Sequence, residues 1–362
     1  MKSASGTDSA LEAVLDRVRQ GDRLTSDEGL FILRECDLFS LGELAADVRR
    51  RLHPEPVVTF VIDRNINYTN VCTTGCEFCA FYRDRADPDA YVLPWERIST
   101  KIRELVDAGG TQVLLQGGHN PALKIDYFED LFRRIKAEFP VHLHALSPSE
   151  ITYISRISRL DIDTTLARLK EAGLASIPGG GAEILSDRVR EIISPRKISS
   201  DEWIGVMRRA HLAGIPSSST MMFGSVETHE DIVEHLTRLR KLQDETGGFT
   251  AFIPWSYQPV SGSLDRDEAT ALDYLRIAAF SRVYLDNIPN IQSSWVTQGP
   301  KIGQVALFFG VNDMGGTMME ENVVSAAGTS HRMTIDEMID LIREAGFMPC
   351  QRSTLYEIMK RF

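Results

Sequence analysis

Cys72, Cys76 and Cys79 stand together in the stretch NYTNVCTTGCEFCAFYR, residues 67–83, with no fourth cysteine nearby. Thiolates spaced C-x3-C-x2-C on a short loop can wrap three corners of an iron–sulfur cube, whereas a structural zinc site closes its tetrahedron with a fourth protein ligand. Three ligands leave one iron open, and an open iron can bind a small molecule and act on it. The competing readings are a zinc site completed by distant His119 or Cys350, and a buried apolar cysteine cluster. Phe78, just before the last cysteine, fits a residue that packs over the cluster or its ligand. The other two of the five cysteines, Cys36 and Cys350, are isolated, a poor match to a disulfide framework.

A loop of this kind must be carried by something rigid. Residues 8–52 read as helical, with apolar residues at spacings of three and four and with Thr25/Glu28 and Ser40/Glu43 in the form of capping boxes. They are expected to form an N-terminal helical cap over residues 1–54. From Val57 onward, β-rich runs alternate with amphipathic helices. The strand candidates are VVTFVI (57–62), TQVLLQ (111–116), VHLHAL (141–146), LASIPG (174–179), SSSTMMF (217–223), FTAFIP (249–254), IQSSWV (291–296) and ALFFGV (306–311). An unbroken series of β/α units predicts a parallel sheet rolled into a TIM-type (β/α) barrel, full or nearly closed, over residues 55–362 with a C-terminal extension. In such a barrel the chemistry sits at the C-terminal ends of the strands, so the cysteine loop, QGGHN, SPSE, PGGGAE, MFGSVET, IPWSYQP and SWVTQG should converge on one rim.

Several residues on that rim invite a role. Pro178-Gly179-Gly180-Gly181-Ala182-Glu183 lacks the ending of a phosphate loop, but Glu183 can accept hydrogen bonds from ribose hydroxyls of a cofactor or substrate; the plainer reading is an acid complementing a helix N-terminus. His142 and His144 share one strand face, with no third metal ligand evident, and read as hydrogen-bonded barrel histidines. Met221-Met222-Phe223 reads first as core. Glu320 and Glu321, with Asn312-Asp313, lie near the end of the barrel, where one can serve as a base and solvated charge is the default for at least one glutamate.

Composition narrows the class. The chain has 362 residues, 43% hydrophobic and 25% charged, as for a globular protein with a sizeable core. A net charge of −11 argues against a general nucleic-acid or anionic-membrane surface. With no apolar run near the roughly 20 residues of a membrane span, and no signal-peptide pattern at the N-terminus, the expected location is the cytoplasm and the expected partner a small molecule.

The pattern Cys72-x3-Cys76-x-Phe78-Cys79 resembles the signature of the radical S-adenosylmethionine family. From about Cys36 to Tyr356 the segments NINYTNVC, LLQGGHNP, SIPGGGAEIL, GGFTAFIPW, NIQSSWVTQG and NDMGGTMMEENVVSAAG resemble the dehypoxanthine futalosine cyclase family of menaquinone biosynthesis. Aminofutalosine synthase and the deazaflavin-forming radical enzymes are its relatives and the alternative readings; an iron–sulfur electron carrier would normally supply a fourth cysteine.

The resemblance implies a 4Fe-4S cluster on Cys72, Cys76 and Cys79 whose open iron chelates S-adenosyl-L-methionine. Reduction then yields a 5′-deoxyadenosyl radical that takes the ribose C4′ hydrogen, and the carbon radical closes on the benzoate ring. Rearomatisation needs a base, for which Glu183, His119 and Asp313 are candidates. The resemblance also implies a low-potential electron donor such as flavodoxin or ferredoxin. Gly117 and Gly118 correspond to glycines whose backbone holds the methionine amino group, with His119 in place of the usual acid; Phe78, Glu183 and Met222 join them as cofactor contacts. Arg64, Thr297 and Gln298 are candidates to clamp the substrate carboxylate.

Overall fold

The computed structural model describes residues 4–259, 264, 266–320, 322–326, 328 and 331–362. Glu321 lies outside the described residues.

The strands are β1 (Val57–Val61), β2 (Asp63–Asn67), β3 (Gln112–Gln116), β4 (His142–Ala145), β5 (Ser217–Phe223), β6 (Phe249–Ser256), β7 (Asn290–Ile291), β8 (Asp313–Gly316), β9 (Met348–Arg352) and β10 (Ile358–Arg361). They form three sheets, ordered β10-β9-β1-β8, β2-β3-β4 and β5-β6-β7. Every pairing is parallel except the β9–β10 hairpin. Single parallel bridges stitch the sheets together: His144 to Ser176, Ile177 to Ser217, and Gln292 to Asp313. β1 and β2 follow one another with only Ile62 between them, so the three sheets succeed one another around a ring. The result is a nearly closed (β/α) barrel, with helices between successive strands as a parallel sheet requires.

The helices start where the sequence places caps. Ser147 accepts the Glu150 N–H and caps Pro148–Ser158, whose proline sits in the first turn where no N–H is missed. Thr25/Glu28, Ser199/Glu202 and Thr228/Asp231 each close a reciprocal capping box. Ser40, by contrast, lies inside the helix Leu38–Leu52, which Asp37 caps instead. The buried side chains of the N-terminal helices, among them Leu15, Ile32, Leu41 and Leu44, belong to the same continuous core as the barrel. Arg276 Nη1 donates to the Cys36 carbonyl at 2.6 Å across that junction.

Three strand expectations are corrected. LASIPG contributes only the single bridges at Ser176 and Ile177. IQSSWV leaves its strand after Ile291 and turns into the short helix Trp295–Gln298. ALFFGV is not a strand: Ala306 and Leu307 are buried at the end of the helix Pro300–Ala306, and Gly310, at φ +86°, turns the chain into β8. Asp63–Asn67 is a strand that the sequence hides, because Asp and Asn are poor strand formers. Its alternation is inverted, with polar residues facing the barrel interior.

Candidate functional site

The cysteine loop leaves the end of β2. Arg83 returns it to the barrel: its N–H donates to the Asn70 carbonyl at 2.8 Å, and its carbonyl accepts the Cys72 N–H at 3.1 Å. The Glu77 N–H donates to the Ile193 carbonyl at 2.9 Å and the Thr73 N–H to the His119 carbonyl at 3.3 Å, fixing the loop to two neighbouring rim segments. Gly118 packs directly beneath it, so that a Cβ there would collide with the Val71 carbonyl and lie 2.7 Å from Cys72 Cβ. The Gly117 N–H donates to Glu150 Oε1 at 3.0 Å and the Gly118 N–H to the Thr69 carbonyl at 3.1 Å. Both amides are thus engaged within the protein.

All three cysteines open on one cavity of about 430 Å³ at the C-terminal mouth of the barrel, together with Phe78, Gly117, Gly118, His119 and Glu183. Burial pushes the Cys76 thiol up to about 11 and raises Cys79 as well. Bound iron reverses that logic, because a metal's charge stabilises thiolates outright. Among the described residues no three His, Cys, Asp or Glu side chains gather to hold a single metal ion. One tetrahedral zinc would draw its sulfurs to within about 4 Å of one another, whereas corners of a cube take one thiolate each. Of the two candidates for a fourth zinc ligand, Cys350 lies mid-strand in β9 opposite Thr59 and does not line the cavity, whereas His119 does. The donor set therefore fits a polynuclear cluster held by Cys72, Cys76 and Cys79.

Glu183 sits 4% exposed with a left-handed φ of +41°. Its Oε1 accepts from Lys197 Nζ at 2.8 Å, and its buried Oε2 accepts no hydrogen bond, with Arg190 Nη1 3.8 Å from it as an ion-pair partner. Lys197 also lies 5.2 Å from the centre of the Phe78 ring. Burial alone would lower the Lys197 pKa, but Cys76 and Glu183 outweigh it and raise it. His119 stacks on Tyr153 at 4.7 Å, and burial, with Lys197 and Arg156 assisting, lowers its pKa to about 3, so the imidazole is neutral.

Glu150 and Lys197 are among the cavity residues that sequence reasoning missed. Glu150 hides in SPSE as an ordinary residue of a helix's first turn, yet it is 4% exposed and accepts from the Tyr68 hydroxyl at 2.8 Å. Burial pushes its carboxyl up to about 7, against the opposing pull of Ser147, Gly117 and Tyr68.

Other predicted positions fall elsewhere. Met222 is fully buried in the core and does not line the cavity; only its N–H reaches the site, donating to the Glu183 carbonyl at 2.9 Å. Asp313 is fully buried beside the cavity floor, and Arg352 takes both its oxygens, at 2.5 and 2.8 Å. It is therefore not available as a free base. Arg64 pairs with Glu104 and Glu320 outside the cavity, and Lys101 and Asn322 also hold Glu320. Gln298 donates to Ser256 Oγ at 2.6 Å and Thr297 to the Ser294 carbonyl at 3.0 Å, and neither lines the cavity. His142 and His144 share Ser176 Oγ, at 2.7 and 2.6 Å, and of the two only His144 lines the cavity.

Residues 66–239 match the radical SAM superfamily and residues 246–361 match the CofH/MqnC C-terminal region. The chain is 46% identical over 355 residues to the cyclic dehypoxanthine futalosine synthase of Halalkalibacterium halodurans, covering 98% of this chain and 96% of that protein. It is 40% identical over 357 residues to the 5-amino-6-(D-ribitylamino)uracil–L-tyrosine 4-hydroxyphenyl transferase of Methanopyrus kandleri, covering 96% and 95%. Among solved structures, the FeFe-hydrogenase maturase HydG from Carboxydothermus hydrogenoformans aligns with a TM-score of 0.77 at 16% identity, covering 98% of this chain and 82% of that one. Methylornithine synthase (PylB) aligns with a TM-score of 0.74 at 20% identity, covering 93% and 97%. The two structures share the fold, and the sequence matches carry the kinship further: the chain belongs to the radical SAM superfamily, in the branch that bears the CofH/MqnC C-terminal region.

Proposed function

We propose that this protein closes dehypoxanthine futalosine to its cyclic product in the futalosine route to menaquinone. The observation that carries the reading is a cavity that holds all three cysteines at its rim, in a chain alike over nearly its whole length to cyclic dehypoxanthine futalosine synthases. The cluster and S-adenosyl-L-methionine, when bound, supply the radical that removes the ribose C4′ hydrogen.

The protein's own contribution is to position and enclose. Cys72, Cys76 and Cys79 would hold the cluster, Phe78 stands beside them in the same cavity, and Gly118 lets the loop settle against the strand below. Oε2 of Glu183, which accepts no hydrogen bond and faces Arg190 at 3.8 Å, is an acceptor for a ribose hydroxyl. For the ring proton released on rearomatisation, Glu183, Glu150 and His119 line the cavity as candidate acceptors, Glu150 with its carboxyl pushed up by burial and His119 as a weak base, since burial holds its imidazole neutral. Asp313 takes a different part: with Arg352 it fixes the floor. In this reading electrons come from a low-potential donor such as flavodoxin or ferredoxin, and the proposed location is the cytoplasm. No helix among the described residues is long and apolar enough to cross a membrane.

The test is an anaerobic assay of iron-reconstituted protein with dithionite, S-adenosyl-L-methionine and dehypoxanthine futalosine, read by mass spectrometry. The expected result is 5′-deoxyadenosine together with a product two hydrogens lighter than the substrate. Deoxyadenosine with untouched substrate would remove the substrate assignment, and neither product from cluster-loaded protein would remove the enzyme.

A further inference from the structure

TIM-type interiors are ordinarily filled by layers of Val, Ile and Leu. Here β2 turns Asp63, Asn65 and Asn67 toward the cavity, and Arg64 and Ile66 away from it. Gln112 and Gln116 of β3 lie beside this polar row, and Gln292 lines the cavity as well. The segment Asn312-Asp313-Met314-Gly315-Gly316-Thr317 makes the room. A Cβ at Gly316 would collide with the Asp63 carboxylate, and one at Gly315 would lie 2.5 Å from Gln292 Nε2. Trp295 Nε1 donates to the Gly316 carbonyl at 3.2 Å and holds that backbone in place.

The two ends of the row are engaged within the protein. Asp63 accepts from the Met318 N–H at 3.0 Å and from Gln112 Nε2 at 3.4 Å. Asn67 donates to the Gln116 carbonyl at 3.3 Å and accepts from Asn322 at 3.1 Å. Asn65, between them, is 5% exposed, and its Oδ1 is buried with no hydrogen-bond partner. Buried polar atoms are rarely left so, and one that faces a cavity asks for a donor from whatever fills it.

We propose that Asn65 is a specificity residue whose Oδ1 accepts a hydrogen bond from a hydroxyl of the substrate's sugar, inside the barrel and below the cluster. The proposal rests on the function proposed above. The choice of group follows from donor chemistry: an amide oxygen needs an O–H or N–H, a benzoate carboxylate brings only acceptors, and the sugar brings hydroxyls.

The test uses full-length, cluster-loaded protein with S-adenosyl-L-methionine present, and measures anaerobic binding of dehypoxanthine futalosine and of its 2′,3′-dideoxy analogue. Wild type is expected to bind the analogue about 10- to 100-fold more weakly, the cost of leaving a buried acceptor unpaired. Asn65→Leu is expected to lose that factor for the parent substrate and almost nothing further for the analogue, with iron content and S-adenosyl-L-methionine affinity unchanged. Asn65→Ala, which cannot crowd the cavity, should behave in the same way. Unchanged affinity for the parent in both variants, or an undiminished penalty for the analogue in both, would overturn the proposal while the cyclase reading stands. Failure of wild type to bind the parent at all would end both.

Discussion

Lys197 Nζ lies 2.8 Å from Glu183 Oε1 on the wall of the cavity that the three cysteines share. The pair is buried, and removing the cation leaves Glu183 with only Arg190, 3.8 Å away. Breaking one half of such a pair costs about 3 kcal/mol or more. Lys197→Met is therefore expected to lower the unfolding midpoint and the iron retained after reconstitution, read by denaturant melts and iron analysis. Lys197→Met with Glu183→Gln removes both charges and should recover most of the stability without recovering turnover. Equal stability of the single variant and wild type would show that the pair is not a structural element of the site.

Asp313 and Arg352 form the corresponding pair on the floor, bidentate and buried, with Thr59 also donating to the carboxylate at 2.5 Å. Asp313→Asn leaves a buried guanidinium without its counter-ion, and should destabilise the protein by about 3 kcal/mol in urea titrations. A base would behave in the opposite way, with stability near that of wild type and turnover abolished. The comparison separates the two roles directly.

The two pairs also show what the sequence could tell. The cysteine loop, the Thr25/Glu28 capping box and the β/α alternation were legible, because local spacing determines each of them, whereas Ser40/Glu43 misled. Glu183 was legible too, as an acid after a glycine run. Lys197 was not, since its partners Glu183 and Cys76 meet it only across the folded rim. Asp313 carried the opposite ambiguity: a conspicuous acid beside a glycine pair reads as chemistry, and its pairing with Arg352, 39 residues later, is visible only in the fold. Asn65 was concealed because its strand inverts the usual pattern, with polar residues inward, and barrel interiors are expected to be apolar.

Gly118 supplies a prediction about cluster loading. Its neighbours on the cysteine side are backbone and a Cβ, neither of which can swing aside. Gly118→Ala must displace the loop, at a cost of about 1–3 kcal/mol for overpacking. Iron bound per chain should fall to less than half, while Gly205→Ala, where a Cβ would meet only the flexible end of Arg209 at 3.4 Å, should leave iron content at the wild-type level. Full loading of Gly118→Ala would mean that the loop has slack not present in this packing.

Glu150 predicts a pH dependence whose sign follows from its burial. Its carboxyl rises from an ordinary 4.5 to about 7 in the folded protein, so between those values the folded chain holds a proton that the unfolded chain has released. Stability must then fall as pH rises through that window, being fully present below about 4.5 and lost above about 7. The full contribution is about 3 kcal/mol, at roughly 1.4 kcal/mol for each pH unit of the window. Glu150→Gln keeps the shape and removes the titration. Urea unfolding of wild type and variant at pH 5 and pH 8 should therefore show the variant gaining on wild type at the higher pH by about that amount. The same substitution tests the site: if Glu150 takes the ring proton, turnover falls at every pH, and if it only holds Gly117 and Tyr68, turnover survives with the pH dependence of stability gone.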